Sequence, residues 1–271
     1  MNDPKPIVPV NPEGLTELMN ELLAPIAMPP ATNPRTGIVL APSFITDPEN
    51  YIGIPQVNIV IAKRESDKNL DWEDTVNALL NKAGAYHMPN ISEFVSHFYN
   101  VLEAVQGKRT LYDGKGKPLK KDEAVNLYKY LTTDFDGGCW TWLDANFVKG
   151  SGFNKLNLRT NHRKGAKGKL IFDESPLEIT LGKDCYVDLN RTKLNKQYLP
   201  KPGLESSNQN YRQGENIYFW CPKKNAVAGF RADSDGADLD CNRDPSNSHE
   251  SLGVFVCAEG ATPKNSSGGT I

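Results

Sequence analysis

Five acids crowd the twelve residues from Asp233 to Asp244, and all five are aspartate: Asp233, Asp235, Asp238, Asp240 and Asp244, in the stretch "RADSDGADLDCNRDPSNSHESLGVF" (Arg231 to Phe255). Oxygen-rich clusters of this kind can coordinate hard cations such as calcium. An EF-hand loop needs acids at its first, third and fifth positions, glycine at the sixth and a bidentate glutamate at the twelfth. Counted from Asp233, the fifth, sixth and twelfth residues are Ala237, Asp238 and Asp244, and Gly236 falls two places early. The spacing argues against an EF-hand, while a cation site of another kind stays a competing expectation. In "GADLDCN" the apolar Ala237, Leu239 and Cys241 alternate with Asp238, Asp240 and Asn242. Period two predicts a strand with one apolar and one polar face.

Other chemistries find less support. His87, His97, His162 and His249 form no ligand pair at helical spacing, and lone histidines read as packing or surface residues. The five cysteines, Cys139, Cys185, Cys221, Cys241 and Cys257, are odd in number, widely spaced and without a CxxC pair. Neither a zinc site nor a disulfide framework is expected, and the thiols read as small buried apolar groups. GxSxG, P-loop and GxGxxG motifs are absent from the sequence. The expectation is a chain with no catalytic residue, no metal and no cofactor. Trp140, Trp142, Tyr218, Phe219 and Trp220 read as core, with a ligand-lining role as the alternative.

The elements that must position the acids follow from periodicity. After the Pro-rich arm, "EGLTELMNELLAPI" reads as a short amphipathic helix, and "TGIVLAPSF" and "QVNIVIAK" as strands. "DWEDTVNALLNKAG", "MPNISEFVSHFYNVLEAVQG" and "KKDEAVNLYKYLTT" read as helices, the second with Asn90 or Ser92 as its cap and Phe94, Phe98, Val101 and Val105 as its inner stripe. "LYDGKGKPL" is a turn. "CWTWLDANFVKGSGFNKLNLRT" reads as one hairpin and "NIYFWCP" with "NAVAGFRA" as another, followed by strands at "GADLDCN" and "LGVFVCA". Residues 163–214 show few clear elements. The whole predicts a loop-rich α+β fold in a single domain over 1–271, with 1–70 packed on the main body and a frayed tail over 259–271.

With 271 residues, 38% apolar and a net charge of −2, the chain can bury a core and has no bulk attraction for nucleic acid or an acidic membrane. No run approaches spanning length, so no membrane insertion is expected, and the start "MNDPKPIVPVNPEG" has no leader pattern. The expected setting is cytoplasmic or virion-associated.

One compositional feature is local. From Asn225 to His249 there is no Lys, Glu, Gln, Met or Trp, although Lys is abundant over 108–201. These five residues are the ones a codon ending in a pyrimidine cannot encode. Randomising the adenines of an asparagine codon yields Asn, Asp, Ser, Gly, Arg, His, Tyr and similar residues, and the polar residues here all belong to that set.

This pattern resembles the variable region of proteins diversified by retroelements, in their archaeal and viral form. The shared positions are Arg231, Ala232, Ser234, Ala237, Leu239, Cys241, Pro245, Ser248 and Leu252, Gly253 and Val254. "YHMPNISEFVSHFYNV", through Met88, Pro89, Glu93 and Phe94, is similar to the family's helix, and "CWTWLDANF" to the strand after it. The resemblance covers about 85–258, with a variable region over 225–257. It implies a C-type lectin fold of the formylglycine-generating-enzyme subclass, used for binding and not catalysis. The implied ligand-binding residues are Arg231, Asp233, Asp235, Gly236, Asp238, Asp240, Asn242, Arg243, Asp244, Asn247 and His249, pointing to solvent around a core of Ala237, Leu239, Cys241, Leu252, Val254 and Val256. The implied partner is a protein or surface ligand, basic for so acidic a version. The competing expectations are a calcium- or cation-binding lectin-like module and a formylglycine-generating-type oxidase. The oxidase needs a close thiol pair, and the sixteen-residue spacing of Cys241 and Cys257 does not match it.

Overall fold

Asn90 starts the helix on which the fold is built. Its side chain accepts from the Glu93 amide at 3.0 Å, and the Glu93 carboxylate accepts from the Asn90 amide at 2.9 Å, a reciprocal cap that satisfies two otherwise orphan donors. The computed structural model describes residues 38–152 and 155–261. Among these residues the fold is α+β, with two sheets and three helices. In chain order the elements are β1 (Tyr51–Ile54), β2 (Ile59–Ala62), α1 (Trp72–Asn81), β3 (Tyr86–His87), α2 (Ile91–Val105), α3 (Lys121–Tyr130), β4 (Cys139–Lys149), β5 (Leu156–Lys164), β6 (Leu170–Pro176), β7 (Cys185–Asp188), β8 (Asn216–Trp220), β9 (Ala226–Asp233), β10 (Gly236–Arg243) and β11 (Cys257–Glu259). The expected N-terminal helix, the first residues of "TGIVLAPSF" and the tail beyond Ala261 lie outside the described residues.

A seven-stranded sheet runs β6-β5-β4-β9-β10-β8-β7, and a four-stranded one β1-β2-β11-β3. α2 packs on the inner face of the larger sheet. Phe94 and Phe98 meet Phe230 of β9 at ring distances of 4.8 and 5.6 Å, and Phe94 meets Phe255 at 5.7 Å. Ala237, Leu239 and Cys241 of β10 join this core, as their alternation predicts. Of the predicted stripe, Phe94, Phe98 and Val101 are buried and Val105 is half-buried. On the opposite face a second cluster forms over β4, where Trp72, Val76 and Leu79 of α1 pack with Trp142, Leu252 and Val254. The Trp72 indole donates to the Leu143 carbonyl at 2.9 Å and the Trp142 indole to the Leu70 carbonyl at 3.1 Å, which fixes α1 on the sheet.

Several elements differ from expectation. "NIYFWCP" and "NAVAGFRA" are both strands, but not a hairpin. β9 turns back through Ser234 and Asp235 to pair with β10, and β10 lies between β9 and β8, antiparallel to the first and parallel to the second. Asp233 accepts from the Asp235 amide at 2.9 Å, and Gly236 follows at φ +116°, so this turn is locally encoded while the β8–β10 pairing is not. Among its described residues, "TGIVLAPSF" contributes a bridge from Leu40 to Ala261 rather than a strand. "LGVFVCA" runs as bridges at Gly253 and Val254 before β11 begins. Residues 163–214 hold β6 and β7. β6 is an edge strand whose acids pair across to β5, Glu174 with Arg159 at 2.7 Å and Asp173 with Arg163 at 2.9 Å.

Candidate functional site

Register sets a row of side chains straight across five strands. Trp140 of β4 opposes Arg231 of β9, which opposes Asp238 of β10, then Tyr218 of β8 and Tyr186 of β7. Directly opposed residues share a face, and this is the face away from α2. A second row, Trp142, Gly229, Asp240 and Trp220, runs beside it. Where α1 and the 252–256 segment stop covering the sheet, the first row opens into a cleft of roughly 210 Å³. Its wall is Tyr186, Tyr218 and Trp220, and its floor includes Arg231, Asp235 and Asp238.

The floor is an ordered charge network. Arg231 donates to Asp238 Oδ2 from Nη2 at 2.9 Å and from Nε at 3.0 Å, and reaches Asp233 at 3.3 Å. Asp238 Oδ1 has no hydrogen-bond partner among the described residues. Burial pushes the Asp238 carboxyl up to about 6, against the opposing pull of Arg231. Arg243 contacts Asp240 at 3.3 Å and lies over Trp140 and Trp142, 4.8 and 5.5 Å from the ring centres. Burial lowers its guanidinium, with the Asp240 carboxylate acting the other way. Gly229 makes room for that layer: a Cβ there would come 3.4 Å from Arg243 Nε and 3.0 Å from the Thr141 carbonyl oxygen.

Beside the cleft, residues 244–251 form an exposed loop pinned at both ends. The Pro245 carbonyl accepts from the Trp72 amide at 3.1 Å, and the Leu252 amide donates to the His249 carbonyl at 2.9 Å. Asp244 accepts from the Ser246 amide and hydroxyl at 2.9 and 2.8 Å. The His249 ring packs on Trp140 at 5.0 Å.

The expectation that every polar residue of this region points to solvent is corrected at three positions. Asp235, Asp244, Asn247 and His249 are exposed, and Arg231, Asp233, Asp240 and Asn242 are half-buried. Asp238 and Arg243 are buried, 5% and 7% exposed, and Gly236 is buried against the Tyr211 ring. The alternation along β10 correctly separates two faces, but the second face is itself covered, by guanidinium groups and aromatic rings from neighbouring strands. Tyr218 and Trp220 take the ligand-lining role that stood as the alternative to core, and Tyr186 joins them unforeseen. Tyr218 and Trp220 alternate with the core residue Phe219 in "NIYFW", which is the sequence signal that puts them on one face. Trp142 belongs to the core.

The remaining candidates are placed elsewhere. The acids do not form one ligand set, because Asp233 and Asp238 engage Arg231 and Asp240 engages Arg243; among the described residues no group of three or more His, Cys, Asp or Glu is placed to hold a metal. Cys241 and Cys257 are both fully buried and lie in different sheets. His162 is buried against Asp144, which also accepts from the His162 amide at 2.8 Å, a tie between β5 and β4. His97 is fully buried between Phe94 and Phe255, with both ring nitrogens unpartnered among the described residues, and burial lowers it to about 4.

Fold and site together define an α+β protein with an open, aromatic-walled cleft at the edge of a seven-stranded sheet, flanked by an exposed polar loop. No protein-family model, curated protein or solved structure matches the chain. Among the described residues no helix is long and apolar enough to cross a membrane.

Proposed function

We propose that this chain is a target-recognition protein, a variable protein of the retroelement-diversified kind on a C-type lectin fold of the formylglycine-generating-enzyme subclass, and not a catalyst. The observation that carries the reading is the convergence of one compositionally marked segment on one face. Ser234 and Asp235 at the β9–β10 turn, where Asp235 lines the cleft, and Asp244, Asn247 and His249 in the pinned loop, whose His249 ring packs on Trp140, are exposed. Ala232, Ala237, Leu239 and Cys241, interleaved with them in sequence, are buried in the core. Substitution at exposed positions on a rigid support changes stability by less than about 0.5 kcal/mol as a rule, so the exposed set can be rewritten while the buried set holds the frame.

Recognition by such a face is polar and charged, with aromatic anchors in the cleft. A basic protein or surface ligand is the partner, and its affinity falls with salt. The test is a library with pyrimidine-ending codons at Ser234, Asp235, Asp244, Asn247 and His249, displayed and sorted for folding and then for binding to unrelated proteins. The reading expects most members to fold and binders to emerge. A library that mostly unfolds contradicts it. Calcium titration followed by thermal unfolding addresses the cation-binding alternative, and a rise in Tm at millimolar calcium supports that alternative.

A further inference from the structure

The wall and the floor of the cleft come from different parts of the chain. Tyr186, Tyr218 and Trp220 lie outside the segment 225–257, whereas Arg231, Asp235 and Asp238 lie within it. A fixed aromatic wall therefore faces a floor whose charge belongs to the variable segment. The Tyr186 and Tyr218 rings meet at 84° with centres 4.9 Å apart, and Tyr218 and Trp220 at 62° and 4.9 Å. Rings set at steep angles form a corner. Aromatic faces carry negative potential and attract cations that approach them.

The floor has the matching sign. One guanidinium and two carboxylates line the cleft, which leaves it net negative. Arg231 is already engaged by Asp238 and Asp233. Asp238 is 95% buried by its 5% exposure, and only its Oδ2 is satisfied; Oδ1 has no partner among the described residues. Oδ1 is itself sealed from solvent, so the carboxylate acts on a cation in the cleft through its charge rather than as a direct hydrogen-bond partner.

We propose that this cleft receives the ammonium end of a lysine side chain, methylated or not, presented by the target protein. The inference rests on the reading of this face as a recognition surface and names what its present version takes. A compact ammonium head suits a corner of steeply angled rings, whereas a planar guanidinium stacks best on one flat face. The lysine stem is apolar and lies along the rings.

The experiment uses the full chain and small probes: Nα-acetyl-lysine amide, its Nε-trimethyl form, and the neutral Nα-acetyl-norleucine amide. NMR follows the Trp220 indole and the Gly236 amide. Saturable shifts with either cation, absent with the neutral probe, are expected, and the tighter cation identifies the target lysine as methylated or unmodified. Asp238→Asn and Tyr218→Leu should each weaken the cation by at least about tenfold, with Tm retained in Tyr218→Leu and retained or raised in Asp238→Asn. Equal response to charged and neutral probes, or no response, overturns the inference. If the cations fail to bind but the display library still folds and yields binders, the recognition reading stands and only this assignment falls.

Discussion

Replacing Asp238 by Asn removes the charge of a buried carboxyl while keeping its shape and an acceptor for Arg231. In the folded chain this carboxyl is raised from 3.8 to about 6 by burial, with Arg231 and Arg243 pulling down and Asp240 pushing up; Asp233 shares Arg231, and Tyr218 faces it from β8. That displacement corresponds to about 3 kcal/mol. The folded state holds the proton more tightly than the unfolded one, so the contribution is fully present below pH 3.8 and is lost as pH rises to about 6. His97 acts oppositely in nearly the same window. Burial lowers it from 6.5 to about 4, so the unfolded chain takes up the proton first and stability falls as pH drops through that range, again by about 3 kcal/mol. In the wild type the two nearly cancel. Urea denaturation of the wild type, Asp238→Asn and His97→Leu from pH 4 to pH 8 separates them. Asp238→Asn should match the wild type near pH 4 and exceed it by up to about 3 kcal/mol at pH 8. His97→Leu should gain on the wild type as pH falls below 6.5. A wild type more stable than Asp238→Asn at pH 8 refutes the reasoning, because it would mean that the Arg231 ion pair outweighs the desolvation of Asp238.

Other consequences are simpler to read. Gly236→Ala places a side chain at φ +116° and within 2.3 Å of the Tyr211 ring, and should cost about 2 kcal/mol or more in chemical denaturation; a neutral result would show that the turn relaxes freely. Asn247→Thr and Asp244→Ser should each change stability by less than about 0.5 kcal/mol, whereas Phe94→Ala, at the centre of the aromatic core, should cost about 3–5 kcal/mol. Cys139, Cys241 and Cys257 are buried, and burial holds their thiols well above the usual range. A thiol reagent at pH 8 should therefore modify the native chain only at the partly exposed Cys185 and Cys221, and modification of a third cysteine without unfolding would contradict the packing.

Local signals were the legible ones. The Asn90 cap, one of two candidates beside Ser92, the helical stripe through Phe94 and Phe98, and the alternation along β10 each depend on neighbours in sequence; the Glu93 half of the cap emerged only with the backbone in place. The partner of β8 does not, because its parallel pairing with β10 joins segments separated by the whole of β9. The burial of Asp238 was hidden for the same reason. Its cover comes from Arg231 on one neighbouring strand and Tyr218 on the other, and a single strand's pattern separates faces without saying what lies above them. Tyr186 comes from a short strand in a segment with no sustained periodicity, so the third wall of the cleft had no signal of its own.

The central claim is that exposed positions around the cleft are rewritten while the interleaved buried ones are kept. Deep sequencing of this gene across a population of its source tests it most directly. The account predicts changes concentrated at adenine-derived positions of codons 231–249, with Ala232, Ala237, Leu239 and Cys241 constant and a near-identical template repeat nearby. Changes spread evenly along the chain, with no such repeat, would contradict it.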